Sequence, residues 1–82
     1  MSPAKRIYRQ FSGAKLKAAR EAIGVSRQRL APFIGCTPMS IYNWESGKRT
    51  PSARHLDALA HNLRTTIDCL YDVQEVIVDD DA

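Results

Sequence analysis

Gly35-Cys36-Thr37-Pro38-Met39-Ser40-Ile41-Tyr42-Asn43-Trp44-Glu45-Ser46-Gly47 is the stretch whose reading decides the fold. Thr37 is a good N-cap, and Pro38 then falls at the first helical position, where its missing N–H has no intrahelical partner to lose. The spacing predicts a helix over 37–46. Ile41 and Trp44, three apart, share its inward face, while Met39, Tyr42, Asn43 and Ser46 recur at three- and four-residue steps on the other. Gly47 supplies the left-handed residue that ends the helix, and Lys48 and Arg49 follow at once.

Immediately upstream, Ser26 to Ile34 reads as a second short helix that stops at Gly35, so the two helices are joined by a tight glycine turn. Four segments run in order: LKAAREAIG, SRQRLAPFIG, the stretch above, and KRTPSARHLDALAHNL. On these the chain resembles the Cro-type, or lambda-repressor-like, helix-turn-helix regulators (the XRE family) from about Leu16 to Leu70. The resemblance implies an all-α, compact five-helix domain, with short terminal β-strands left open as an addition.

Eighty-two residues allow one small domain with a single core, which oligomerisation would help to stabilise. A hydrophobic content of 44%, a charged content of 26% and the lack of a long apolar run point to a soluble chain with no membrane span. Met1 to Arg9 has no apolar core of a secretory leader. Cys36 and Cys69 lack metal-ligand spacing, which leaves a reduced, cytoplasmic setting and no metal or cofactor as the expectation. The net charge of +3 conceals a division. Residues 1–64 hold all twelve Lys and Arg against Glu21, Glu45 and Asp57, a balance of +9, whereas residues 65–82 hold six carboxylates and no base, −6. The first part can serve as a polyanion footprint, and the acidic end should sit away from it.

Taken in order, residues 1–12 form a basic arm, open to three readings: a frayed terminus, a phosphate-contacting arm or a short strand. The helical domain spans 13–72. Its first helix runs from Gly13 or Ala14 to Ile23, capped by Ser12, with Leu16, Ala19 and Ile23 inward. Arg20 falls near that stripe and needs a partner; the family resemblance implies a bridge to Glu45. In the second helix Leu30, Ala31 and Ile34 point inward, and Pro32 should kink or tighten the last turn. Thr50-Pro51-Ser52 reads as the N-cap, N1 and N2 of a fourth helix, with Leu56, Leu59, Ala60 and Leu63 inside and His55 and His61 outside. Thr65 or Thr66 caps a fifth, burying Ile67, Leu70 and Tyr71. Residues 73–82 are strand-like and acidic, and an antiparallel pairing of Arg6–Phe11 with Glu75–Asp80 would make a dimerisation element.

The resemblance implies a sequence-specific double-stranded DNA binder, most simply a bacterial or phage transcriptional repressor acting as a homodimer on a palindromic operator. Its base-reading positions fall on Pro38, Met39 and Asn43. Phosphate contacts fall on Arg27, Gln28, Tyr42, Ser46, Lys48, Arg49 and Ser52 at the start of the fourth helix. Asn43 can bond adenine bidentately, whereas Pro38 and Met39 offer only apolar contact, as to a thymine methyl. That apolar pair keeps a second reading open, an antitoxin or adaptor that holds a protein partner such as a toxin or another regulator. An enzyme is not indicated: Ser46, His55 and Asp57 are usable residue types, but no spacing arranges them as nucleophile, base and orienter.

Overall fold

The computed structural model describes residues 4–78. Strand β1 (Ala4–Phe11) leads into four helices, α1 (Gly13–Ala22), α2 (Arg27–Ile34), α3 (Pro38–Glu45) and α4 (Ala53–Asn62). A single 3-10 turn, Asp68–Leu70, then passes into β2 (Tyr71–Val78). The fold is therefore a four-helix domain with a two-stranded antiparallel sheet, not a five-helix all-α one.

Local chemistry sets each helix end. Ser12, Ser26, Thr37 and Ser52 each accept a backbone N–H three residues on, which satisfies one donor of each first turn. The cap of α4 is Ser52 and not Thr50; Pro51 lies buried ahead of the helix instead of opening it. At the end of α3, Gly47 sits at φ 81, Lys48 N–H donates to the Asn43 carbonyl at 2.9 Å and Gly47 N–H to the Trp44 carbonyl at 3.3 Å. These two bonds close the last turn and fix where Lys48 leaves it. α2 remains α-helical through Pro32. Pro32 lies two residues from the helix end, and the carbonyl it leaves unpaired belongs to exposed Gln28 and can turn to water.

The core is built from Leu16, Leu30, Ala31, Ile34, Ile41, Trp44, Leu56, Leu59, Leu63 and Leu70. Ile23, expected inside, is half exposed, because α1 ends at Ala22 and Gly24 (φ 70) turns the chain away. The expected fifth helix shrinks to one turn. The Thr66 hydroxyl accepts the Cys69 N–H and Leu70 is buried, but Ile67 stays exposed and Tyr71 already belongs to β2. The β-branched run that follows competes for the same residues as a strand. His55, expected outside, packs its ring 5.1 Å from that of buried Trp44.

The two strands pair from Ala4 opposite Val78 to Phe11 opposite Tyr71. β2 thus starts two residues before Val73, and Arg6 faces Val76 where Asp80 was expected; Asp79 and Asp80 lie outside the described residues. The base of the ribbon explains the register: Ser12 N–H donates to the Leu70 carbonyl at 2.8 Å, and the Phe11 ring meets the Tyr71 ring edge-on at 6.0 Å. Beyond that base the ribbon projects. The described chain measures 53 × 22 × 19 Å with a radius of gyration of 15.6 Å, against about 12 Å for a compact chain of this length.

Candidate nucleic-acid interface

Residue spacing on α3 separates two faces. Ile41 and Trp44 are buried, while Met39 is 63% exposed and Tyr42 and Ser46 are exposed with it; Asn43 is half-buried at the margin of the same face. Ser46 Oγ donates to the Asn43 carbonyl at 3.2 Å, which holds the hydroxyl against the helix end. Pro38, also exposed, opens the helix. A cleft of about 460 Å³ runs between the starts of α2 and α3, lined among others by Arg27, Gln28, Pro38, Met39 and Tyr42.

Beneath this face lies a buried charge cluster. Arg20 Nε donates to Glu45 Oε2 at 2.6 Å and its terminal nitrogen to Oε1 at 3.2 Å, the two-pronged geometry that suits a guanidinium and a carboxylate. The third nitrogen donates to the Val25 carbonyl at 2.9 Å. The side chains are only 10% and 2% exposed, so α1, the α1–α2 turn and α3 are joined through a desolvated pair. The hydrogen bond to Glu45 raises the Arg20 pKa above its ordinary value despite burial, so the guanidinium stays charged.

Sequence reasoning missed a second cation on the same carboxylate. Arg27 Nε donates to Glu45 Oε1 at 2.9 Å, and its guanidinium carbon stands 5.4 Å from the centre of the Tyr42 ring. Lys48 Nζ also stands 5.4 Å from that centre. Tyr42 therefore carries two cations, one from the first turn of α2 and one from just past α3. The sequence carried no local signal for this contact, since eighteen residues separate the two side chains. Arg27 thus has one nitrogen committed to Glu45, which leaves the other two for any further contact.

The remaining sites are more dispersed. Gln28 is exposed beside Arg27, and Lys48 and Arg49 are exposed after α3. Ser52 Oγ accepts the His55 N–H at 3.3 Å and lies 3.0 Å from His55 Nδ1, so this hydroxyl already serves as the α4 cap. Gly13, at the start of α1, sits against the end of α3: a Cβ there would stand 2.3 Å from the Trp44 carbonyl oxygen. No reading of the sequence singled out that approach. Among the described residues no three His, Cys, Asp or Glu side chains converge as a metal site, and no helix is long and apolar enough to cross a membrane.

Residues 16–68 match the helix-turn-helix family HTH_3. The chain is 32% identical, over 74 residues, to the SPbeta prophage-derived HTH-type transcriptional regulator YonR of Bacillus subtilis, covering 82% of this chain and 68% of that one. Among solved structures it is similar to the P22 c2 repressor in complex with a synthetic operator, with a TM-score of 0.70 and 26% identity over 74% of this chain and 92% of that one. It is also similar to hydroxypropylphosphonic acid epoxidase from S. wedmorenis, with a TM-score of 0.68 and 31% identity, but that likeness covers 73% of this chain and only 32% of the epoxidase.

Proposed function

The chain belongs to the helix-turn-helix family of XRE-type DNA-binding regulators, and from that premise we propose that it represses transcription as a homodimer on a palindromic operator. One observation carries the reading: α3 buries Ile41 and Trp44 and turns its other face outward between two cations, Arg27 and Lys48, that share the Tyr42 ring. A helix set in this way can enter a major groove with its first residues on the base edges while the flanking cations meet phosphate.

In this reading Asn43 bonds an adenine edge, and Pro38 and Met39 pack on thymine methyl groups. Arg27, Gln28, Tyr42, Ser46, Lys48, Arg49 and the start of α4 at Ser52 contact the backbone and set register. No chemistry is carried over from the epoxidase, since the likeness reaches only a third of that chain. The exposed apolar pair Pro38 and Met39 supports a second use of the same face, as the antitoxin or adaptor surface for a protein partner.

The test is a selection of random duplexes with the purified protein. Recovery of a palindrome whose half-sites lie about one helical turn apart is the expected result. A recovered pool with no enriched sequence would overturn specific recognition and leave the partner-binding reading in its place.

A further inference from the structure

Among the described residues, three cations stand against tyrosine rings, and their charge balance differs. Arg9 lies 5.1 Å from the centre of the Tyr71 ring and is also paired with Asp68, so its charge is answered locally. Tyr42 meets both Arg27 and Lys48, each 5.4 Å from its centre. Arg27 shares the carboxylate of Glu45 with Arg20, and Lys48 has no ion pair among the described residues. Three cations against one carboxylate leave a surplus of positive charge beside a ring that is itself 41% exposed. Like charges gathered in this way repel, and unrestrained side chains would spread into water. Two anchors oppose that spread. Arg27 Nε donates to Glu45, whose side chain is only 2% exposed, and both terminal nitrogens of Arg27 are left without a hydrogen-bond partner among the described residues. Lys48 is fixed through its backbone, whose N–H donates to the Asn43 carbonyl at 2.9 Å just after left-handed Gly47. The Tyr42 ring is what the two cations have in common.

We propose that Tyr42 is a positioning residue of the DNA interface: its ring holds Arg27 and Lys48 in place before any duplex arrives, a role separate from a backbone contact by its hydroxyl. The face of an aromatic ring is partly negative and attracts a cation without neutralising it. A carboxylate at position 42 would hold the same two side chains and cancel the charge that phosphate has to meet. Pairing with phosphate immobilises long, freely rotating side chains, and a chain already held loses less freedom on binding. Arg27 gains most, because its planar guanidinium, turned by Glu45, still has two terminal nitrogens to offer to phosphate oxygens side by side. The ring adds no charge of its own, so it changes how tightly the phosphates are held and not how many are neutralised. The use of this arrangement rests on the operator-binding reading, whereas the placement of both cations on the ring in the free protein does not.

Two substitutions separate ring from hydroxyl: Tyr42→Phe keeps the ring and Tyr42→Leu removes it. Tyr42 lies outside the core, so both variants should melt as wild type does. Tyr42→Leu should weaken binding roughly tenfold on selected and random duplexes alike, with the slope of log affinity against log salt unchanged. Tyr42→Phe should keep most of the wild-type affinity. In a chain that already carries Arg27→Ala and Lys48→Ala, measured at low salt, Tyr42→Leu should cost little, since the ring then has nothing to hold. Equal losses from Phe and Leu, or an undiminished loss in the doubly substituted chain, would overturn the proposal. A second measurement needs no DNA. In NMR spectra of the free protein the side-chain methylene protons of Arg27 and Lys48 should show ring-current shifts that persist in Tyr42→Phe and vanish in Tyr42→Leu. Shifts of a free side chain for both residues in wild type would overturn the proposal without any binding data. A wild type that bound no duplex would instead remove the operator reading, and with it the interface role of Tyr42, while the ring-current shifts would still show the cations held.

Discussion

The helical body and the ribbon use charge in opposite ways. In the body Glu45 is almost fully buried and holds Arg20 and Arg27 together from two other helices. In the ribbon Lys5 and Glu75 pair in water, with more than half of each side chain exposed. An exposed pair of that kind contributes little to stability, whereas a buried one is costly to break because the surviving charge has no water to return to. The body therefore specifies itself, and the ribbon is specified chiefly at its base, by Phe11, Tyr71 and Leu70.

Removing Glu45 is the strongest way to test that contrast. Glu45→Ala leaves Arg20 buried beside an empty site and Arg27 without its anchor, and it should cost about 3–5 kcal/mol. For a domain of this size that lowers the melting temperature by well over ten degrees, at roughly 4–8 °C per kcal/mol. A melt within a few degrees of wild type would show that the cluster is wet and that body and ribbon do not differ in kind. Gly13→Ala comes next. Its new methyl would meet the Trp44 and Glu45 carbonyl oxygens at 2.3 and 2.4 Å, backbone atoms that can move only with the end of α3. The expected loss is about 1–3 kcal/mol, read by urea unfolding. No loss would mean that α1 and α3 slide apart easily.

These two residues also mark how far the sequence could be read. Repeats of three and four residues identified the cores of α2, α3 and α4 because Leu30 and Ile34, Ile41 and Trp44, and Leu56, Leu59 and Leu63 each answer to one local period. Gly13 has no such period. Its requirement comes from a carbonyl thirty-one residues away, and only the packed fold shows it. Arg27 was legible as a basic first-turn residue but not as a partner of Glu45, since nothing local ties positions 27 and 45. The fifth helix and the Thr50 cap failed for different reasons. Tyr71 and the β-branched run after it were taken by β2, which left the fifth helix one turn. Thr50 and Ser52 offer two acceptable caps within three residues, and the chain buries Pro51 ahead of the helix, so that Ser52 serves. In the ribbon the pattern indicated strands of opposite charge, but the register came from Ser12, Leu70, Phe11 and Tyr71 at its foot.

A smaller effect separates the two regions as DNA ligands. Lys48→Ala should lower the slope of log affinity against log salt by about one and weaken specific and random duplexes alike. Arg6→Ala, on a ribbon whose other strand is acidic, should leave that slope unchanged. Equal effects from the two substitutions would return β1 to the role of a phosphate-contacting arm.

The two thiols give the mildest measure of the same division, because Cys36 lies in the turn between α2 and α3 and Cys69 at the foot of the ribbon. Cys36 is half-buried, and burial pushes its thiol pKa up, which disfavours the reactive thiolate. Cys69 is exposed, and hydrogen bonds from Thr66 and Thr65, led by the Thr66 hydroxyl at 3.2 Å, pull its thiol pKa down. Near neutral pH, below the usual thiol range, the group with the lowered pKa carries more thiolate. Iodoacetamide should therefore label Cys69 several times faster than Cys36, as peptide mapping by mass spectrometry would read, and Thr66→Val should slow Cys69 alone. Loosening the ribbon with Ile7→Thr should change neither rate, because the Ser12 to Leu70 bond and buried Leu70 keep the turn attached to the body. If Cys36 reacted first, the body would be opening at its central turn more readily than the ribbon at its foot, and the contrast between a self-specified body and a base-anchored ribbon would be reversed.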